Sequence, residues 1–378
     1  MIEWSGKRRT GGEMAKGYYF SFSRDRWDPT PLVVAVIIVC LVAVAYGWFK
    51  SEDAKAAKAQ ERAVAVAWDG LRAEADSIEV SVDLPEDLSS ESYILLQRSD
   101  YNRKFEGKED WASAAPGASA PEDAFLHERV RMAKGEGEKV YPASMAKMLT
   151  AIVIIESLPS DAYSHELRIT DGDMYYLYHD GASVAGFVAG ESVKVEDLLY
   201  GLMLPSGAEC ASALAKYTAG SIEAFVDAMN AKAVAIGMTD SHFSNPVGLH
   251  DEGTYTTVSD MALLLDYAMR DERFAELIST QEHTSAPTNK HEEGLELRST
   301  FYQQGDIALS DGNGEILGGK TGYTSEAGQC LASYMVKGGE RFILVTAAAR
   351  PKDFHEDALH IEDMLSVFGA LKVTKKAA

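Results

Sequence analysis

Tyr141-Pro142-Ala143-Ser144-Met145-Ala146-Lys147-Met148-Leu149-Thr150, continuing into Ala151-Ile152-Val153-Ile154-Ile155-Glu156, decides how the rest of the chain is read. A proline opens the stretch and a mostly apolar run follows, long enough for a helix. The run is apolar nearly all round, which predicts a helix inside a domain rather than on its surface. Ser144 and Lys147 are the polar groups of its first turn, three residues apart and so on one face. A lysine there either snorkels to solvent or is desolvated with its pKa lowered, and in the second case it can take a proton from a neighbouring hydroxyl. Taken alone, the tetrad is better read as a helix cap beside a snorkelling lysine.

The 378 residues suffice for one large domain or two ordinary ones. Apolar content of 46% and charged content of 25% belong to a folded globular protein. A formal charge of -22 argues against nucleic acid and against a broad face for anionic membranes. The acidic residues are spread along the chain, as on a solvated surface. Three cysteines cannot form a disulfide framework. Cys40 falls in an apolar span, which leaves Cys210 and Cys330 as a pair or as two buried thiols. The nine histidines show neither H-x-x-x-H nor H-E-x-x-H spacing, and no nucleotide-binding glycine motif is present.

Residues 1–30 are polar and aromatic and carry several Lys and Arg, which reads as a cytoplasmic N-terminal segment. Residues 31–49, Pro31 to Phe49, carry no charge and are long enough to span a bilayer, with Tyr46 and Trp48 placed for the interface. The basic excess ahead of the span predicts a single-pass anchor in the cell membrane, with everything after Lys50 extracytoplasmic. A cleaved signal peptide is the rival reading. Residues 50–89 read as a helical stalk followed by a Pro- and acid-containing connector. Val64, Trp68, Leu71 and Ala75 recur at helical spacing and offer a seam for self-association.

From residue 90 a folded domain is expected, ending near 372, with 373–378 as a tail. Tyr93 to Gln97 reads as a strand, Tyr101 to Asp123 as a long loop and Phe125 to Val130 as the returning strand. A helical block follows: Val195 to Met203 stopped by Pro205-Ser206-Gly207, Ala211 to Tyr217, Ile222 to Ile236, and Tyr255 to Met269. Strands return at Gly318 to Thr324, Cys330 to Met335 and Phe342 to Ala347, the last two joined by Lys337-Gly338-Gly339. An amphipathic helix from Asp353 to Leu371 closes the domain. The fold class is therefore α+β: an antiparallel sheet flanked by helices, with a helical subdomain.

Three short segments carry the chemistry together: Ser144-x-x-Lys147, Ser206 in its sharp turn, and Lys320-Thr321-Gly322 at a strand. They are the parts of the penicillin-binding-protein and serine beta-lactamase signature. With Asp197 to Gly207, His242-Phe243-Ser244-Asn245-Pro246-Val247-Gly248-Leu249 and Gly319 to Thr324 in the same order, the chain resembles the low-molecular-weight penicillin-binding proteins. Within them it is similar to the D-alanyl-D-alanine carboxypeptidases, the S11 serine peptidases, over roughly residues 90–372. The resemblance implies the serine beta-lactamase/penicillin-binding-protein-like fold, and a penicillin-sensitive enzyme that trims stem pentapeptides ending in D-Ala-D-Ala. It implies Ser144 as nucleophile, Lys147 as general base and Ser206 as proton relay to the leaving amine. It also implies Lys320, Thr321, Gly322 and Tyr323 as substrate-binding residues, the backbone N–H groups of Ser144 and Tyr323 as an oxyanion hole, beta-lactams as covalent inhibitors, and no metal or organic cofactor.

One departure stands out. The family's Ser-x-Asn is here Ser206-Gly207-Ala208, followed by Glu209. Ala208 lacks the amide, and Glu209 reads either as a partial substitute or as a surface carboxylate. Asn245, Pro246 and Gly248 read as a turn, Arg350 as a strand-end arginine, and Tyr178 and His179 as cleft wall or loop surface. Competing functions are a beta-lactamase or D,D-endopeptidase on the same fold, and a tethered cell-wall binding protein that has lost the chemistry.

Overall fold

The computed structural model describes residues 78–84, 87–98, 130–180, 182–303, 309–350 and 358–375. The expected N-terminal segment, the 31–49 span, the stalk and the 101–123 loop lie outside the described residues. Among the described residues no helix is long and apolar enough to cross a membrane.

The early strands are β1 (Ile78–Val82), β2 (Ser92–Arg98) and β3 (Val130–Lys134). The helix expected from Tyr141 begins with a single 3-10 turn, Ala143–Ala146, and becomes α1 only at Lys147–Ser157. β4 (Glu166–Arg168), α2 (Tyr175–Asp180) and β5 (Ser192–Lys194) lead into the helical block. That block holds α3 (Val195–Met203), α4 (Ala208–Ala219), α5 (Ile222–Ala235), α6 (Val258–Ala268) and α7 (Glu272–Ser279). Three of these helices start at a side-chain cap. Ser221 Oγ accepts from the Ala224 N–H at the start of α5, Thr257 caps α6 and Asp271 caps α7 through their side-chain oxygens. A small hairpin, β6 (Glu282–Thr284) and β7 (Glu296–Arg298), precedes the long strands β8 (Gly314–Thr324), β9 (Gly328–Lys337) and β10 (Glu340–Ala349). The chain closes with α8 (Leu359–Ala370) and β11 (Leu371–Lys375).

The main sheet is antiparallel, in the order β3-β2-β10-β9-β8. Gly338 and Gly339, both at positive φ, make the tight β9–β10 turn read from the sequence. Alternation sends neighbouring side chains to opposite faces. Ile94, Leu96, Ile343, Val345, Ala332 and Cys330 join the core shared with the helical block, in which α1 is buried along its first nine residues. Leu95, Phe342, Leu344, Leu331 and Met335 face the other way, onto Ile361, Met364, Val367 and Phe368 of α8. Arg98 ends β2 in a buried position, its Nε donating to Asp266 Oδ1 of α6 at 2.7 Å. That ion pair ties the sheet to the helical block.

Two boundaries differ from expectation. Part of the supposed connector at 77–90 is β1, and part of the supposed tail at 373–378 is β11. The two pair antiparallel from Ile78↔Lys375 to Val82↔Leu371. Of the strand expected at Phe125–Val130, only Val130 lies among the described residues, as the first residue of β3.

Candidate active site

The site is built around the 3-10 turn. Ala143 takes φ 46, a left-handed conformation that costs a non-glycine residue about 1–2 kcal/mol, and thereby turns Ser144 out ahead of α1. Opposite it, Gly248 has φ +76, and a Cβ there would lie 1.9 Å from the Ala143 carbonyl oxygen. Only glycine lets the two backbones meet. Lys147 is the first residue of α1 and is 2% exposed. Its Nζ donates to Ser144 Oγ at 3.0 Å and to the Val247 carbonyl at 2.7 Å.

The Asn245–Leu249 segment, read as a turn, is thus also the support of Lys147. Asn245 Oδ1 accepts from the Val247, Gly248 and Leu249 N–H groups, and Thr150 Oγ1 donates to the Pro246 carbonyl at 2.7 Å. The role of Val247 was not legible because it is played by a main-chain carbonyl. The Asn-Pro-x-Gly pattern was its only trace.

Burial pushes the Lys147 ammonium down to about 7, against the opposing pull of Glu209. A lysine that would be charged in water is therefore close to half neutral at neutral pH, within hydrogen-bond reach of a serine hydroxyl. Lys320, on β8 and 1% exposed, is also pushed well below its ordinary value, by burial first and by the charge of Lys147 second. The two lysines therefore lie in one electrostatic neighbourhood. Lys320 Nζ donates to the Thr321 carbonyl at 3.1 Å, and the Thr321 hydroxyl shares a 2.7 Å hydrogen bond with Thr300. Thr300 carried no motif signal.

Among the described residues β8 is an edge strand, paired only with β9 in the main sheet, and it packs against the Ser144 turn. A Cβ on Gly322 would lie 3.0 Å from the Ser144 nitrogen. Glycine there lets strand and amide come together, and leaves an edge to which an extended peptide can add. Tyr323 follows, with its ring 66% exposed.

Ser206 links α3 and α4 at φ 66, another left-handed non-glycine residue. Its hydroxyl is buried and has no hydrogen-bond partner among the described residues. Gly207 closes the turn by donating to the Gly201 carbonyl at 2.8 Å. Ala208 is 1% exposed and uses its N–H on the Ser183 carbonyl.

Glu209 is not a surface carboxylate. It is 1% exposed, and its Oε1 accepts from the Ala185 and Gly186 N–H groups at 2.7 and 2.9 Å. Burial raises its pKa while these backbone donors oppose the rise. Cys210 and Cys330 are two free, buried thiols. Arg350, at the end of β10, donates to the Ser325 and Glu326 carbonyls and braces the β8–β9 turn. Tyr178 on α2 is 65% exposed, and the side chain of His179 lies outside the described residues. Among the described residues no cluster of His, Cys, Asp or Glu is arranged to hold a metal ion.

A serine within hydrogen-bond reach of a desolvated lysine, and a second buried lysine beside an edge strand, are parts from which a serine acyl-transfer site can be built. Comparison with known proteins bears on which one. A family model described as D-alanyl-D-alanine carboxypeptidase, S11, matches residues 127–350. The D-alanyl-D-alanine carboxypeptidase DacF of Bacillus subtilis is 31% identical over 256 residues, 65% of this chain and 62% of its own length. DacC of Escherichia coli is 31% identical over 217 residues, 56% of this chain and 52% of its own. The chain thus spans between half and two thirds of the length of these two relatives. Among solved structures, the Streptomyces K15 DD-transpeptidase superposes with a TM-score of 0.60 at 21% identity, over 75% of this chain and 97% of that one. A D-alanyl-D-alanine carboxypeptidase of Mycobacterium tuberculosis H37Rv gives 0.59 at 21%, over 76% and 92%. The expected architecture, an antiparallel sheet flanked by helices in the manner of penicillin-binding proteins, is the one observed. With the model matched over more than half of its residues, the chain belongs to the S11 family of D-alanyl-D-alanine carboxypeptidases.

Proposed function

We propose that this protein is a serine-type D-Ala-D-Ala carboxypeptidase, removing the terminal D-alanine from peptidoglycan stem pentapeptides through a Ser144 acyl-enzyme. The observation that carries the reading is the 3.0 Å contact between Ser144 Oγ and a buried Lys147 whose pKa lies near 7. The extended end of the peptide lies along the β8 edge, and its terminal carboxylate is held by Lys320 and the Thr321 hydroxyl. Ser144 Oγ attacks the carbonyl carbon of the penultimate D-alanine while its proton passes to Lys147 Nζ. The oxyanion forms against the Ser144 and Tyr323 N–H groups. The C–N bond then breaks, and a proton travels through the Ser206 hydroxyl to the leaving amine. Free D-alanine departs. Water next attacks the ester, giving the shortened peptide acid and restoring Ser144. In a penicillin the opened lactam nitrogen stays tethered to the acyl group, so the covalent stage persists.

The same proposal places the domain outside the cell membrane, held by residues 31–49. The support is a charge-free apolar run with Lys7, Arg8, Arg9, Lys16, Arg24 and Arg26 ahead of it.

The test is release of D-alanine from a peptide ending in Lys-D-Ala-D-Ala by the purified full-length protein. Ser144→Ala is expected to abolish both release and covalent labelling by a fluorescent penicillin. Wild-type protein that binds the peptide and releases nothing would instead identify a cell-wall binding protein.

A further inference from the structure

One open cavity, between α2 and α4, is not used by the chemistry above. It has a volume of about 320 Å³, at the small end of ligand sites, and lies between the Asp171-Gly172 turn, α2, α4 and the start of α5. Tyr175 and Tyr178 stand on its wall with 54% and 65% of their surface exposed. Large aromatic side chains normally bury most of that surface, and exposed ones grouped at a concavity mark binding.

The polar lining is mixed. Ser212 lies one turn into α4, is 1% exposed, and has a hydroxyl with no hydrogen-bond partner among the described residues. A mid-helix serine ordinarily spends its hydroxyl on the carbonyl four residues back. Lys216 lines the same cavity one turn on, its ammonium neutralised by Asp173 at 2.8 Å. Asp171 and Glu223 add carboxylates. With Asp171, Asp173 and Glu223 at -1 each and Lys216 at +1, the local formal charge is -2, which disfavours phosphate or carboxylate ligands.

Aromatic faces whose phenol hydroxyls can donate, combined with carboxylate acceptors, match a polyhydroxylated ring, which has an apolar C–H face and hydroxyls that both give and accept hydrogen bonds. From these features we infer that the cavity is a carbohydrate subsite, holding one pyranose of the glycan strand that bears the stem peptide. The inference rests on the carboxypeptidase reading for the identity of that glycan. Distance supports it. Ser212 and Lys216 lie four and eight residues along α4 from Ala208, about 6 and 12 Å at 1.5 Å per residue. A stem peptide places four residues between its sugar and the scissile bond, a reach of up to about 14 Å. The Ser183 carbonyl, bonded to the Ala208 N–H, joins the segment after α2 to the start of α4.

The experiment compares D-alanine release by the full-length protein from a free pentapeptide and from the same pentapeptide on an N-acetylglucosamine–N-acetylmuramic acid disaccharide. The disaccharide substrate is expected to have a kcat/KM at least five-fold higher. Tyr175→Ala/Tyr178→Ala is expected to erase that advantage while leaving the free peptide within two-fold and penicillin labelling stoichiometric, which certifies the fold. Equal kcat/KM for both substrates in the wild type, or an advantage that survives the double variant, overturns the inference. So does a double variant that loses activity only on peptides with a free side-chain amine and not on their N-acetylated forms, since the cavity is then a cation site. Calorimetry with chitotetraose separates the subsite from the enzyme assignment. Binding that the double variant loses supports the subsite even if no D-alanine is released, and absence of binding by the wild type counts against it even if release is brisk.

Discussion

The sharpest consequence of the geometry concerns pH. Lys147 has its pKa held near 7 by burial, where an ordinary lysine titrates near 10.5. At pH 7 about half of the molecules then carry a neutral Lys147, against roughly one in 3,000 for an unperturbed lysine. At pH 6 the neutral fraction is about one in ten and at pH 5 about one in a hundred. If neutral Lys147 accepts the Ser144 proton, acylation at pH 5 is about fifty-fold slower than at pH 7, and it gains only about two-fold more from pH 7 to a plateau reached near pH 8. The assay is stopped-flow acylation by a fluorescent penicillin from pH 5 to 9. A rate that climbs ten-fold per pH unit beyond pH 8 would mean that Lys147 is an ordinary lysine, and a flat profile from 5 to 8 would remove it as the base. The same burial has a stability signature. Between pH 7 and 10.5 the unfolded chain holds a proton at Lys147 that the folded chain has lost, so stability rises with pH across that window. Below pH 7 the full cost of burying the ammonium is present, about 5 kcal/mol at 1.36 kcal/mol per pH unit. Lys147→Met is therefore expected to abolish acylation while raising the melting temperature at pH 7, with the gain shrinking towards pH 10.5.

Glu209→Gln keeps an acceptor for the Ala185 and Gly186 N–H groups but removes the charge that holds Lys147 up, so the acylation profile should shift to lower pH. Glu209→Ala leaves two buried donors unpaired, about 1–3 kcal/mol each, and should show in urea unfolding. In Gly248→Ala a methyl group meets the Ala143 carbonyl at 1.9 Å in a left-handed backbone, which predicts a loss of about 3 kcal/mol or more and weaker penicillin labelling. His360 is 5% exposed, hydrogen-bonded through Nδ1 to Gln329 Oε1 at 2.7 Å, and burial lowers its pKa from 6.5 to about 4. The unfolded chain therefore takes up the proton first as pH falls from 6.5 to 4, and stability drops by about 3 kcal/mol. Calorimetry of His360→Leu should show a flatter acid limb over that window.

Ser144, Lys147, Ser206 and Lys320 were legible because each is a chemically distinctive side chain inside a short, ordered pattern. The long strands were legible as short unbroken apolar runs, since both faces are covered: Leu95 and Leu344 face one core, Ile94 and Val345 the other. Other features depend on partners far along the chain. β1 and β11 are short strands whose pairing joins Ile78 to Lys375, and nothing local in either announces the other. Glu209 lies on the first turn of a helix, where a carboxylate is ordinarily solvated. Its burial follows from backbone donors more than twenty residues upstream. The polar β6–β7 hairpin shows no apolar alternation to mark it. Val247 contributes only a carbonyl, which every residue possesses, so its place beneath Lys147 could be found only in three dimensions.

The pairing of two desolvated lysines has a consequence for which ligands the cleft accepts. Among the causes that shift Lys320 there is no carboxylate, only burial and the neighbouring Lys147. A ligand that brings its own carboxylate supplies the missing counter-ion and raises the Lys320 pKa back towards its ordinary value. A neutral ligand of the same shape does neither. On the proposed reading, discrimination between a free chain end and an internal or amidated one then begins with that counter-ion, before any bond to Ser144 is made.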